Sequence, residues 1–479
     1  MIIPKSVNLI LSELHRHGFE AYAVGGCVRD MLLGREPEDW DITTSAEPPE
    51  IKEIFPVTID TGIEHGTVTV RMDGANYEVT TFRTDGEYRD HRRPEEVHFT
   101  KSLKEDLLRR DFTINAMAWD GGLSDSESGE SAPAGIIDLY GGQQDLADGI
   151  IRCVGDPDER FEEDALRILR AFRFAAKLTK PELEDGEGDQ ENAAGQMFTI
   201  DPATRAAVTA HREELRYISA ERIQMEMTKI ITSEHPEVLR DMYELGVTEV
   251  ILPEFDRMME TPQNFRFHFL DVGEHTILAM RNIPPETHLR WTMLLHDTGK
   301  PQCRVTDENG EDHFRGHPAV GAEIARDVMN RMKMDNATKD KVIRLVRCHD
   351  DRMPAEKRTV RRAIARIGTD LFEDYCRVRR ADVLAQSKYR FDEKMANLDG
   401  IEELYRQIME ERECVTLAAL AVGGEDLIAA GLKPGPQIGK ALRQMLDWVI
   451  EEPLLNDRET LMARWSAEKD HGEKSDEER

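Results

Sequence analysis

The run Asp39-Trp40-Asp41 is the first stretch of the chain whose residue types and spacing could do chemistry. In an extended strand, residues i and i+2 share a face, so the two carboxylates stand side by side and Trp40 turns the other way into packing. Adjacent carboxylates repel each other and invite a divalent cation. Just upstream, the apolar pair Ala23-Val24 runs into Gly25-Gly26, followed by a helix-like segment from Cys27 to Leu33 that carries Arg29. A glycine turn at a helix start brings backbone N–H groups to a place where phosphate is favoured. Each part alone is common. Their combination on a strand–turn–helix–strand reads as a site for Mg²⁺ and a nucleoside triphosphate, suited to in-line nucleotidyl transfer.

A second constellation lies in FEEDALRILRAFRF, where Asp164, Arg167, Arg170 and Arg173 recur every three residues. On a helix, residues i and i+3 are neighbours, so Asp164 and Arg167 form a paired acceptor and donor. Cytosine and the Watson–Crick edge of adenine both offer an amine donor beside a ring-nitrogen acceptor, which such a pair complements. Uracil and guanine present the reverse order. The bland alternative is a row of solvent-facing ion pairs, and the apolar face of Leu166, Ile168, Leu169 and Phe172 weighs against it. A third set is His275, the contiguous His296-Asp297 with Lys300 after it, His317, His349 and Asp382. Helices that each turn one or two such side chains inward can hold metal in a bundle core. Nitrogen and oxygen donors suit Mn²⁺, Fe, Ni²⁺ or Mg²⁺ without choosing among them.

The elements that must position these residues follow from periodicity. Residues 1–18 read as an amphipathic helix ended by Gly18 rather than a leader peptide. Residues 66–72 and 77–82 are strands joined through Asp73-Gly74-Ala75-Asn76. Glu78 on the second can supply a third carboxylate beside Asp39 and Asp41, or face solvent; periodicity allows both. Residues 83–97 are a long polar loop, Leu103–Arg110 a helix, and Ile150–Val154 a strand closing the first domain. From Asp158 the pattern is almost wholly helical, with one strong helix over Phe161–Lys177. The boundaries expected are 1–156, 157–260 with an acidic insert at 181–195, an all-helical 261–412, a small helical unit at 413–466, and a disordered acidic tail at 467–479.

At 479 residues the chain has length for several domains. No run approaches the roughly 20 apolar residues of a membrane span. Six scattered cysteines without paired spacing argue for a reducing cytoplasm and against a thiolate zinc site. The net charge of −31 lowers the expectation of nucleic-acid binding. Much of the acid, however, sits in Asp125–Glu130, Glu182–Glu191 and the tail from Glu468 to Glu478. Basic clusters remain at Arg89-Asp90-His91-Arg92-Arg93, Arg109-Arg110, Arg167 to Arg173 and Lys357 to Arg366. Phosphate contacts need local positive charge rather than a positive total.

Several motifs in order carry a family resemblance. VGGCVRDMLLG…DWDITT (24–44), RRDFTINAMA (109–118), EDALRILRAFRFA (163–175), SAERIQMEM (219–227) and the later PGPQIG make the sequence resemble class II CCA-adding tRNA nucleotidyltransferases. These belong to the tRNA nucleotidyltransferase/poly(A) polymerase family, within the polymerase β-like superfamily. The resemblance implies an α+β fold: a nucleotidyltransferase head with a mixed sheet and helices, then an all-α neck, body and tail. It implies Mg²⁺ on Asp39 and Asp41. It implies nucleotide contacts from Gly25, Gly26, Arg29, Arg110, Asp111, Asp164, Arg167, Arg170 and Arg173. The partners implied are CTP, ATP and the acceptor and TΨC arms of tRNA, with no membrane. Relatives include poly(A) polymerases and enzymes adding only CC or only A. CC-only enzymes have the loop corresponding to 83–97 shortened, and its full length here favours reaching the A step.

The histidine set resembles HD-domain phosphohydrolases. His275, His296, Asp297 and Asp382 match the core signature, and His317 and His349 the extra positions of two-metal members. This implies a second divalent-metal site and a cyclic phosphodiesterase or phosphatase activity on damaged RNA ends. The competing reading makes that hydrolysis the main activity.

Overall fold

Alternating apolar and β-branched residues build the first sheet. The computed structural model describes residues 3–86, 97–122, 135–179 and 195–477. The basic cluster at 89–93 and the acidic runs at 125–130 and 182–191 lie outside the described residues. The chain divides into two compact units, Met1–Asp256 with Arg331–Met334, and Arg257–Asn330 with Asp335–Arg479.

In the first unit, β1 (Ala21–Val24), β2 (Asp41–Thr44), β3 (Thr58–Gly62), β4 (Thr67–Met72), β5 (Ala75–Thr81), β8 (Met117–Trp119) and β9 (Ile136–Asp138) form one mixed sheet. Its order is β3-β4-β5-β2-β1-β8-β9. The pairing of β2 with β5 is parallel and sets Asp41 against Glu78. Two short strands, β6 (Arg83–Asp85) and β7 (Val97–Phe99), pair antiparallel at the root of the long polar loop. The expected four-residue connection between β4 and β5 is only two residues long. Asp73 and Gly74 take positive φ of 51° and 83°, the geometry that matches strand twist in a tight hairpin. Helix Lys5–Arg16 buries Val7, Ile10, Leu11 and Leu14 on one stripe.

Three sequence expectations change here. The strand of the carboxylate pair begins only at Asp41, so Asp39 precedes it; Trp40 is nonetheless buried, 6.4 Å from the Trp119 ring. Residues 150–154 do not extend the head sheet, since β10 (Ile150–Ile151) pairs with β11 (Thr199–Ile200) among the following helices. The continuous helix over Phe161–Lys177 is two helices, Pro157–Glu163 and Leu166–Lys177. Asp164 breaks it by adopting an extended backbone (φ −147°, ψ 101°). Its Oδ1 accepts the Leu166 backbone N–H at 3.1 Å, the competing local bond that draws aspartate to helix starts.

The second unit is a helical bundle. Helices Val272–Arg281, Thr287–Leu295, His317–Arg331, Asn336–Cys348 and Phe372–Leu384 surround the histidine set. It is not wholly helical, because β12 (Val305–Thr306) and β13 (Asp312–His313) form a small hairpin. A separate apolar cluster holds the last helices together, with Leu427, Met445, Trp448, Val449, Leu461 and Trp465 at its centre. The final helix, Arg458–Glu477, continues through most of the segment expected to be disordered. Among the described residues, no helix is long and apolar enough to cross a membrane.

Candidate nucleotide site and histidine–aspartate centre

Asp41 opens β2 at the wall of a cavity of about 510 Å³ that Gly25, Gly26, Arg29, Asp39, Arg110 and Asp111 also line. Partial desolvation pushes the Asp41 carboxyl up, Arg110 pulls it down, and Asp39 adds to the rise. The Glu78 carboxyl is raised by desolvation and then by Asp41 and Asp39. Glu78 is the register partner of Asp41 across the parallel β2–β5 pair, and its carboxyl feels both aspartates. Asp39 and Asp41, two like charges on one cavity wall, are donors that fit a divalent cation.

Gly25 has φ +84° and ψ −130°, a backbone that glycine adopts freely. A Cβ there would stand 3.1 Å from Nη1 of Arg110, so the arginine rests against the glycine turn. Arg29 is buried; Nη1 donates to Asn115 Oδ1 at 2.7 Å, while Nε and Nη2 reach Asp30. Asn115 donates in turn to Asp111 Oδ1 at 3.1 Å, and Arg170 Nε donates to Asp111 Oδ2 at 2.8 Å. Burial would raise the Asp111 carboxyl, but Arg170 and these hydrogen bonds hold it far below the usual range. Arg173 pairs with buried Glu226 at 2.6 Å. The guanidinium carbons of Arg29, Arg170 and Arg173 lie 5.2, 5.5 and 4.2 Å from the centre of the Phe174 ring.

The structure does not bring Asp164 and Arg167 to the cavity wall. Arg222 Nη2 donates to Asp164 Oδ2 at 2.7 Å. Arg167 Nη1 pairs with Glu163 at 2.5 Å, and Nη2 donates to the Arg109 carbonyl at 2.9 Å. The Arg167 backbone N–H still donates to the Asp164 carbonyl at 2.9 Å, while the two side chains reach Arg222 and Glu163. Asn115, Glu163, Arg222 and Glu226 were missed by sequence reasoning. All four lie within the quoted motifs, but nothing local says which partner each one takes.

In the second unit, Asp297 stands between two histidine pairs. Its Oδ2 is 3.1 Å from His296 Nε2 and 3.7 Å from His275 Nε2. Its Oδ1 is 3.4 and 3.5 Å from the Nε2 atoms of His317 and His349. The Nδ1 atoms of His275, His296, His317 and His349 lie 3.2, 2.7, 2.8 and 2.7 Å from the carbonyls of Ala385, Met293, Phe314 and Val346. Carbonyls can only accept, so these contacts suit a proton on Nδ1 and leave the Nε2 atoms facing the Asp297 and Asp382 carboxylates, as the outer hydrogen bonds of metal-ligating histidines do. Neither His296 Nε2 nor Asp297 Oδ2 has a well-aligned hydrogen bond despite their closeness. Asp382 completes the group, 3.1 Å from His275 Nε2. All six predicted residues converge, as two potential ligand triads sharing Asp297 plus Asp382. The donors fit two divalent cations.

Lys300 donates to Gln263 Oε1 and pairs with Asp297, both at 2.7 Å. His268, which the sequence did not flag, packs edge-on against His275 at 5.0 Å. Burial and nearby Lys300 push its imidazole down to about 2. A cavity of about 660 Å³ opens on the centre, with Phe265, Phe267, Phe314 and Lys394 on its walls.

The mixed sheet carrying two carboxylates beside a glycine turn defines a nucleotidyltransferase head. Residues 21–152 match the family described as "Poly A polymerase head domain". Residues 197–259 match "Probable RNA and SrmB- binding site of polymerase A", and 319–464 match "tRNA nucleotidyltransferase domain 2 putative". The last match begins after His317, so it does not span the whole metal-ligand set. The chain is 35% identical over 458 residues to the CCA-adding enzyme of Levilactobacillus brevis, covering 95% of each. It is 33% identical over 473 residues to that of Enterococcus faecalis, covering 98% of each. The chain belongs to the CCA-adding enzymes. Among solved structures, the Bacillus stearothermophilus CCA-adding enzyme in complex with CTP matches with TM-score 0.70 at 28% identity, covering 99% of this chain and 100% of that one.

Proposed function

We propose that this protein adds the 3′-terminal CCA of tRNA from CTP and ATP by Mg²⁺-dependent nucleotidyl transfer in a reducing cytoplasm. The observation that carries the reading is Asp39 and Asp41 lining one cavity with the Gly25 turn, Asp41 in register with Glu78, in a chain of this family. Six unpaired cysteines agree with a reducing compartment. Bound Mg²⁺ would lower the pKa of the attacking 3′-hydroxyl and neutralise the leaving pyrophosphate. Asp39 and Asp41 would hold it, with Glu78 as a further donor or an electrostatic partner. Gly25, Gly26, Arg29 and Arg110 would orient the triphosphate, and the Asp111–Arg170 pair and Arg173 would shape the sugar and base side. Asp164 and Arg167 would select cytosine and adenine after exchanging their present partners, Arg222 and Glu163. The test offers tRNA lacking CCA with labelled CTP and ATP, separately and together. Ordered C, C, A addition that then stops is expected. Long A-tails from ATP alone would make it a poly(A) polymerase, and A addition only to tRNA ending in CC an A-adding enzyme.

A second activity is favoured by one observation, the sharing of Asp297 between two oriented histidine pairs. We infer metal-dependent hydrolysis of phosphate esters at RNA ends, including 2′,3′-cyclic phosphates. A metal pair held by His275, His296, Asp297, His317, His349 and Asp382 would supply an activated water. Lys300 holds the Asp297 carboxylate in place. Substituting His296→Ala should abolish hydrolysis with Mn²⁺ or Ni²⁺ and spare CCA addition. Loss of both would make the centre structural.

A further inference from the structure

Asp106 is completely buried, yet no motif that carries the chemistry includes it. It sits three residues before Arg109 on helix Leu103–Leu108. Oδ1 accepts from Arg109 Nε and Nη2 at 3.1 and 2.9 Å, and from the Arg83 backbone N–H at 3.4 Å. Oδ2 accepts from Thr43 Oγ1 at 3.1 Å and Arg110 Nη2 at 3.4 Å. Thr43 is two residues beyond Asp41 on β2, so it shares the face of the metal-binding carboxylates. Arg110 is the arginine that rests on Gly25 and pulls the Asp41 carboxyl down. The carbonyl of Arg109 holds Arg167 Nη2 at 2.9 Å. Arg83 begins β6, the root of the long polar loop.

A carboxylate this deeply buried would be costly without compensation. Here two guanidiniums, a hydroxyl and a backbone N–H compensate it; Thr43 follows Asp41 on β2 and Arg110 lines the nucleotide cavity. An apolar side chain could fill this space if the position only packed.

We propose that Asp106 is a positioning residue for nucleotidyl transfer: one carboxylate fixes Arg110 over the glycine turn and, through Arg109, the backbone that holds Arg167. The proposal rests on the reading of Arg110 as a nucleotide contact and Arg167 as a base selector. It assigns two separable consequences. Through Arg110, Asp106 governs affinity for any incoming triphosphate. Through Arg109, it governs the preference for CTP over UTP.

The test uses full-length Asp106→Asn and Arg109→Lys, with Arg167→Ala as a control. For each, single-nucleotide addition to tRNA lacking CCA is measured for CTP and UTP, well below the variant's melting temperature. Asp106→Asn should raise KM for CTP and lower the CTP-over-UTP ratio, each by about tenfold, the size expected when a hydrogen bond to a charged group is lost. Arg109→Lys keeps the carboxylate and a positive charge but loses the two-donor grip, so it should lower the ratio and leave KM for CTP near wild type. A fall in kcat alone, matching the unfolded fraction, would overturn the proposal by showing a structural role. Wild-type KM and ratio in folded Asp106→Asn would also overturn it. Should Asp106→Asn not fold, wild-type selectivity in Arg109→Lys overturns it instead. If Arg167→Ala leaves the ratio unchanged, the base-selector reading fails by itself, and KM for CTP in Asp106→Asn decides the role of Asp106.

Discussion

Asp41 opens β2 opposite Glu78 on β5, with Asp39 just before the strand; Asp39 raises the Asp41 carboxyl, and both raise Glu78. Asp41→Ala should abolish nucleotide incorporation. Glu78→Gln keeps the shape and relieves repulsion, so it should lower kcat by roughly 10-fold to 100-fold if Glu78 holds a metal, and leave it unchanged if the residue only faces solvent. Single-turnover addition of CMP separates the outcomes. Gly25→Ala tests the turn. A side chain at φ +84° is strained by about 1–3 kcal/mol, and its Cβ would press on Arg110. A lower melting temperature together with a higher KM for both CTP and ATP is the expected result. The glycine turn and the proximity of Asp39 to Asp41 were legible because both are local in sequence, although strand alternation did not describe Asp39, which precedes β2. Asp106, Asn115 and Arg222 were not, because their meaning lies in partners many residues away. Asn115 reaches Arg29 across 86 positions and Arg222 reaches Asp164 across 58.

At the scale of elements, the helical remainder followed from periodicity, and the mixed sheet and the convergence of the histidine set from the family resemblances. What failed was continuity. The apolar pattern over Phe161–Lys177 fits one helix, but the Asp164 side chain offers the backbone a competing bond. Asp164→Ala should therefore cost about 0.5–2 kcal/mol from the lost cap, read as a lower melting temperature, besides impairing base selection. The same region carries a pH-sensitive joint. His211 ends helix Pro202–His211, with Nδ1 2.7 Å from Glu214 and Nε2 2.9 Å from Asp158 on helix Pro157–Glu163. Desolvation lowers its pKa, but hydrogen bonds and charge from Glu214 and Asp158 outweigh it, so the folded value lies above 6.5. A raised folded pKa contributes stability that is fully present below the unfolded value and is lost as pH rises through the folded one. His211→Gln should then lower the melting temperature at pH 6 and have a smaller effect at pH 9. Equal effects at both pH values would show that the imidazole only packs.

For the whole molecule, a net charge of −31 must coexist with binding a polyanion. Composition could not show how the basic residues are used. In helix Lys357–Ile367, Lys357 and Arg361 pair with Glu413, Arg358 and Arg362 with Glu451, and Arg366 with Asp351. That apparent phosphate-binding cluster is thus largely neutralised within the fold. Lys433, Lys440 and Arg443 differ. They flank or lie on helix Pro436–Glu451 and have no carboxylate partner among the described residues. If this segment meets tRNA phosphates, each cation releases counterions on binding, and affinity falls with salt in proportion to their number. Arg443→Gln and Lys440→Gln should each weaken tRNA binding several-fold at low salt. Each should also reduce the slope of log affinity against log salt by about 1. CTP binding should be unchanged. An unaltered slope in both variants would move the RNA contact away from this segment.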